Sequence, residues 1–210
     1  MTFVRSQSFE TGKNGFVLLN IQSTQSGSAS QAETTPEQML LGCHVRIRHF
    51  SQMATKLADA AGAPSDEIAR AAAEIYRYFT VALPLHEQDE NITLHPRLRR
   101  AVGLPAEDGE EAETRLLREL GGPAVDAMVE QHEAIDQVAE RLLPLWKILS
   151  IDPARHEEVA QEMRPLAAAL AQLFDAHLKL EEETVFPAMQ RFIGEEEKAE
   201  MLAEMKGRRR

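Results

Sequence analysis

This sequence predicts an all-α fold: an antiparallel, up-down four-helix bundle with an irregular N-terminal arm and a short C-terminal helix. Three observations carry the prediction. Apolar residues recur at steps of three and four through four long stretches; residues that start and stop helices bound those stretches; and no strand-like alternation lies between them. A composition of 43% hydrophobic and only 5% aromatic residues over 210 positions agrees, because it suits packed helices better than an aromatic-rich β-sandwich.

Taken in order, residues 1–35 are dense in Ser, Thr, Gln and Gly and lack helical periodicity, so they form an arm distinct from the bundle domain, residues 36–210. Within the arm, Gly15 to Ile21 has the apolar character of one short strand. Thr35 is placed as the N-cap of the first helix, with Pro36 at its first position and Gln38 completing a capping box. That helix is expected to reach about Ala61, before Gly62 and Pro64. A second helix from about Ser65 carries the stripe Ile68, Ala72, Ile75, Phe79, Ala82, His86, Glu90, Thr93, and Pro84 should kink it.

The stretch from Gly103 to Gly122 is acidic and flanked by loop residues, with room for a short helix from Ala112 to Leu120. Pro123 is then expected to open a third long helix with the seam Met128, His132, Ile135, Ala139, Leu142, Trp146, Leu149. Asp152 and Pro153 start the fourth, whose stripe reads Val159, Met163, Leu166, Leu170, Leu173, His177, Glu181, Thr184, Ala188, with a bend at Pro165 and an end at Gly194. Residues 195–210 read as a charged fifth helix fraying into Lys206-Gly207-Arg208-Arg209-Arg210. Four long amphipathic helices with modest connections give the bundle.

Composition also excludes function classes. A formal charge of −11, from 23 basic and 34 acidic residues, would repel a phosphate backbone over most of the surface, so nucleic acid is not an expected partner. No apolar run is long enough to span a membrane. The single cysteine, Cys43, excludes an internal disulfide framework and any multi-cysteine metal site within one chain. The early apolar run, Phe16 to Leu19, is shorter than a secretory core and no cleavage site follows it, so the expected compartment is the cytoplasm.

The chemistry lies in polar residues that interrupt apolar stripes. Burying an imidazole or a carboxylate without a partner is costly, so something must satisfy His44, His86, Glu90, His132, His177 and Glu181. His-x-x-x-Glu places a nitrogen and an oxygen on one helix face about a turn apart. Spacing alone is weak support: acids occupy 34 of 210 positions, so about one of the seven histidines should have an acid four residues on by chance, and three do. An internal repeat strengthens it. LPLHEQDENITLHPRL and FDAHLKLEEETVFPAM align without a gap, matching His86 to His177, Glu90 to Glu181, Thr93 to Thr184 and Pro96 to Pro187.

Two helices on one template, with a histidine from each remaining helix, make six ligands, a set that suits two metal ions. Imidazole and carboxylate without thiolate favour iron, with manganese or zinc compatible, whereas magnesium and calcium prefer oxygen alone. Glu90 and Glu181 would bridge, the four histidines would fill terminal positions, and at least one position would stay open to O₂, peroxide or NO. Taken singly, His44 or His132 reads more readily as a hydrogen-bonded core residue than as a ligand. Asp136, four residues after His132, is expected to accept a hydrogen bond from behind the ligands. Glu182 and Glu183 read as a solvated run, His95 as packing at the bundle end, and His156 as part of an exposed first turn. Cys43 is expected to point away from the site, and Tyr78 to be a core residue.

The ligand order, His44, then His86-x-x-x-Glu90 within PLHEQDENITLHPRL, His132 within EQHEAID, and His177-x-x-x-Glu181 within AHLKLEEETVFPAM, resembles the hemerythrin-like HHE cation-binding domain family over about residues 39 to 192. The resemblance implies a non-haem di-iron centre, oxo- or hydroxo-bridged, in a four-helix bundle. Oxygen-carrying members have His-x-x-x-His on the third helix and His-x-x-x-x-Asp on the fourth, where this chain has Asp136 and Glu181. It is more similar to the four-histidine, two-glutamate branch, which includes iron-cluster repair and iron- or oxygen-sensing proteins. The greater share of anionic oxygen should favour ferric iron and redox chemistry or sensing over reversible oxygen carriage. The cysteine-bearing N-terminal domain of the repair branch has no counterpart in residues 1–35.

The expectation is therefore a di-iron protein that binds, senses or reacts with O₂, peroxide or NO, with a redox partner the sequence does not name and no residue assigned a catalytic role. A homo-oligomer is compatible with it. The alternatives are an enzyme of nitrosative or oxidative stress, of the iron-cluster repair or NO/peroxide reduction type, and a metal-free helical interaction module.

Overall fold

The computed structural model describes residues 34–106 and 109–210. The arm and its short strand from Gly15 to Ile21 lie outside the described residues, apart from Thr34 and Thr35. Helix α1 (Pro36–Ala58) begins as its sequence dictates: the Thr35 hydroxyl accepts from the Gln38 amide at 3.1 Å, and the Gln38 side chain accepts from the Thr35 amide at 3.1 Å. It ends at Ala58, short of Ala61, and Gly62 takes the turn at a φ of 78°.

The second rod consists of α2 (Ser65–Arg77), α3 (Leu83–Gln88) and α4 (His95–Val102), joined without a break by π-helical turns at Tyr78–Ala82 and Asp89–Leu94. The expected disturbance at Pro84 is thus absorbed by a wider turn just before it. Its N–H is missing and its ring would press on the carbonyl four residues back, and a π turn relieves both.

Helix α5 (Ala112–Ile151) corrects the sequence reading, which divided it at Gly121-Gly122-Pro123. It is one helix of 40 residues. The glycines permit close approach instead of ending the helix: a Cβ at Gly121 would lie 3.1 Å from the Ala188 Cβ and 3.2 Å from Val102 Cγ1. Pro123, Pro144 and Pro165 are all exposed, so the carbonyls they leave unpaired face water. Pro165 does not break α6 (His156–Leu180), which follows a 3₁₀ turn at Pro153–Arg155. A third π turn, Glu181–Val185, leads into α7 (Phe186–Phe192), and α8 (Glu195–Gly207) follows.

Helix α1 packs on α2 and α6, and α5 packs on α2 and α6, so the four long elements form a closed ring of neighbours. Two apolar regions fill the interior. Phe79 lies against Trp146 and Phe174 with ring centroids 4.9 and 6.1 Å away, while the other region gathers Leu40, Leu94, Leu98, Val125, Met128, Phe186 and Met189 with Met201 and Met205 of α8. The expected seam of α5 is buried throughout; on α6, Phe174 is buried and its neighbour Leu173 only half so. No helix among the described residues is long and apolar enough to cross a membrane.

Candidate metal centre

Between those two apolar regions, every long helix presents a polar side chain to the interior. His44 comes from α1, His86 from α3, Glu90 from the π turn Asp89–Leu94, His132 from α5, His177 from α6 and Glu181 from the π turn Glu181–Val185. All six are buried, Glu90 and Glu181 completely. The two glutamates occupy equivalent places: the carbonyl of each accepts the five-residue hydrogen bond of its π turn, from His95 and Phe186, and a proline follows at Pro96 and Pro187. The shared Glu-x-x-x-x-x-Pro spacing is the sequence signal for these turns, and the periodicity reading missed it. At these two sites the wide turn accommodates the proline that follows and carries the carboxylate, whereas Pro123, Pro144 and Pro165 lie in uninterrupted α-helix.

The contacts form a regular pattern. One oxygen of Glu90 lies 3.1 Å from His86 Nε2 and the other 3.1 Å from His132 Nε2. Glu181 contacts His44 Nε2 at 2.9 Å through one oxygen and His177 Nε2 at 3.3 Å through the other. Two sets result, His44, His86, Glu90, Glu181 and Glu90, His132, His177, Glu181, each with its candidate ligand atoms within 4.8 Å of one another. Both carboxylates are common to both sets, and every predicted ligand falls into one of them.

The far sides of the rings determine what fits between. His44 Nδ1 lies 2.8 Å from Glu182 Oε1, His132 Nδ1 2.9 Å from Asn91 Oδ1, and His177 Nδ1 3.2 Å from Gln131 Oε1. These partners are oxygens, so each Nδ1 donates and each Nε2 is left with a bare lone pair. That lone pair faces a carboxylate oxygen, a second acceptor, and His44 Nε2, His132 Nε2 and all four carboxylate oxygens lack a hydrogen-bond partner. Acceptor against acceptor at these distances is repulsive unless a cation or a proton lies between.

Protons are poorly suited to that role. Burial lowers the pKa of His86 well below its ordinary value, pushes His132 down to about 4, and lowers His177 too. Burial and the neighbouring Glu181 carboxylate raise Glu90, whereas Glu181 is lowered only where His177, His86 and His44 carry protons, which burial disfavours at His86 and His177. One proton on Glu90 could close only one of the four Nε2···O contacts. Two cations, each offered two nitrogens and two oxygens, would satisfy all four. The residues therefore fit a metal pair of the imidazole- and carboxylate-binding kind.

Other expectations are corrected. Asp136 is exposed and stands behind no ligand; partial burial and, after it, the Glu140 carboxylate raise its pKa. The acceptors behind the histidines are Glu182, Asn91 and Gln131 instead. Glu182, read as solvated, ties His44 to Arg48, whose guanidinium reaches it at 2.9 Å. His156 is buried, with Nε2 2.7 Å from the Leu57 carbonyl, which also accepts from the Ala60 amide just past the end of α1. His95 pairs with Asp126 at 3.1 Å. Tyr78 is the expected core residue, stacked on Phe50 with centroids 4.1 Å apart, and burial raises its pKa. Cys43 is buried, its sulfur 3.0 Å from Arg46 Nη2.

Comparison with known families agrees with this centre. Residues 122–210 match the hemerythrin HHE cation-binding domain. His132, His177 and Glu181 lie within the match, and the repeat and the geometry, not the match, bring in His44, His86 and Glu90. No curated protein and no solved structure matches the chain significantly.

Proposed function

We propose that this hemerythrin-like chain is a non-haem di-iron protein that binds, senses or reacts with O₂, peroxide or NO. His44, His86, Glu90, His132, His177 and Glu181 would hold the iron, both glutamates being common to the two sets. The observation that carries the reading is the set of four Nε2 atoms facing carboxylate oxygens at 2.9–3.3 Å, those of His44, His132 and His177 with bare lone pairs, arranged so that each carboxylate gives one oxygen to each set. When bound, iron supplies one-electron redox chemistry and a coordination position that six protein ligands leave open.

The chain's own residues prepare the place. Glu182, Asn91 and Gln131 fix ring orientation and tautomer, and a donated Nδ1–H makes Nε2 a stronger ligand. The apolar regions on either side exclude water and strengthen every charge interaction between them. The order of elements supports the up-down arrangement: along α1 and α5 the methionine-rich region precedes the polar residues, and along the other two rods it follows.

Titrating the anaerobic, ferrous-loaded protein with NO, O₂ and hydrogen peroxide in parallel tests the reactivity. At least one should change the absorption spectrum with saturation at one equivalent per iron pair. Silence toward all three would overturn the reactivity while leaving metal binding intact.

A further inference from the structure

The basic end of α8, which the sequence suggests is frayed, is docked beside the centre. Arg208 Nη1 lies 2.7 Å from one oxygen of Asp89 and Arg209 Nη2 2.5 Å from the other, and Asp89 is fully buried. Arg208 Nη2 also donates to the Thr93 hydroxyl at 2.6 Å, and that hydroxyl donates to Glu204 at 3.0 Å. Arg97 closes the network on Glu204 at 2.6 Å and on the Thr93 carbonyl at 3.1 Å. The π turn Asp89–Leu94 is thereby held at both ends by α8, with Glu90 between the held residues.

The other arm is tied differently. Leu180 occupies the place of Asp89 in the repeat, and next to Glu181 it is Glu182 that is held, by Arg48 and His44 of α1. Each bridging glutamate thus has a neighbouring carboxylate anchored to a separate helix. A buried carboxylate with two guanidinium partners fixes its backbone, since removing either side leaves an uncompensated buried charge.

We propose that Arg208 and Arg209 are positioning residues for Glu90: by clamping Asp89 they set the π turn that presents one Glu90 oxygen to each histidine pair, coupling metal binding to the docking of α8. This rests on the metal reading above. Because Glu90 is common to both sets, the clamp should act on both metal positions. Coupling of this kind is reciprocal, so metal binding should also tighten α8.

The test uses the full chain with zinc, which is redox-inert, and cobalt, whose visible spectrum reports coordination. Arg208→Gln with Arg209→Gln should weaken zinc binding about ten- to a hundredfold and alter the cobalt spectrum, as expected when groups supporting metal ligands are removed. Asp89→Asn should do the same, and keeps the test available if the double variant folds poorly. Glu110→Gln removes the pair with Arg118 without touching α8, Arg97 or Asp89, so it should lower the melting temperature and leave both metal readouts unchanged. Zinc should slow amide exchange in α8 of the parent chain and not of the double variant. Parent-like zinc affinity and cobalt spectrum in the double variant would overturn the clamp, whatever its melting temperature. A parent chain that binds neither metal would overturn the metal reading itself, and the clamp with it.

Discussion

Alanine at Gly121 and at Gly122 should move stability in opposite directions, although the two residues are adjacent in one helix. Inside a helix, Gly→Ala contributes about 1 kcal/mol through backbone entropy at either position. At Gly121 the new methyl would lie 3.1 Å from the Ala188 Cβ and 3.2 Å from Val102 Cγ1, both buried. The Ala188 methyl cannot rotate aside, so α7 must shift, and overpacking of this kind costs about 1–3 kcal/mol. The net effect is a loss of about 1 kcal/mol, or about 3 °C in melting temperature for a domain of this size. At Gly122 the contact is Arg99 Nη1 at 2.7 Å, the end of a flexible, half-exposed side chain. Its displacement sacrifices only a surface pair with Asp126, worth about 0–1 kcal/mol, so Gly122→Ala should be neutral or stabilising by up to about 1 kcal/mol. Thermal and urea denaturation of the metal-free variants measure both. Equal stabilisation by the two would refute the close approach of α5 to α4 and α7, and a collapse of helical signal in both would refute a continuous α5.

Three further outcomes follow from the centre. Glu181→Gln should abolish most of the metal-dependent rise in melting temperature, about 2.7 kcal/mol per site at a hundredfold excess over Kd, because each set loses an anionic oxygen; an undiminished rise would contradict the shared carboxylate. Glu182→Gln should weaken metal binding about tenfold with little change in metal-free stability, read by competitive chelator titration, since it removes the charge behind His44 and leaves the ligands in place. In the metal-free protein, burial lowers His132 from 6.5 to about 4, so the unfolded chain binds the extra proton between those values and stability rises with pH there. That contribution, at most about 3 kcal/mol, is present above pH 6.5 and lost as pH falls toward 4; urea titration of the parent chain against His132→Gln across this window should show it, and parallel curves would contradict it.

What the sequence disclosed was local. The capping box at Thr35 and Gln38, the stripes of α2 and α5, and the six inward polar residues each lie within one helix and follow from its period. The fusion of two expected helices into α5 escaped notice because glycine and proline punctuate helices in general, and only the packing of Gly121 against Ala188 shows another use. The groups supporting the histidines escaped for a different reason. Glu182 reaches His44 across 138 residues of sequence, and Arg208 reaches Asp89 across 119. No helical period encodes such pairs, and an acidic run or a basic tail has the composition of a solvated surface wherever it docks. Asp136 failed as a support because the buried seam of α5 passes from His132 through Ile135 to Ala139 and leaves Asp136 exposed beside it.

The most direct test of the central claim is metal content per chain after anaerobic reconstitution with ferrous iron and removal of excess, with an absorption spectrum taken as air is admitted. Two shared carboxylates and the four Nε2 atoms facing them predict about two irons per chain and new near-ultraviolet absorption on oxidation. Less than about 0.2 iron per chain, with an unchanged spectrum and melting temperature, would contradict the account, because a metal that binds only the folded state must stabilise it.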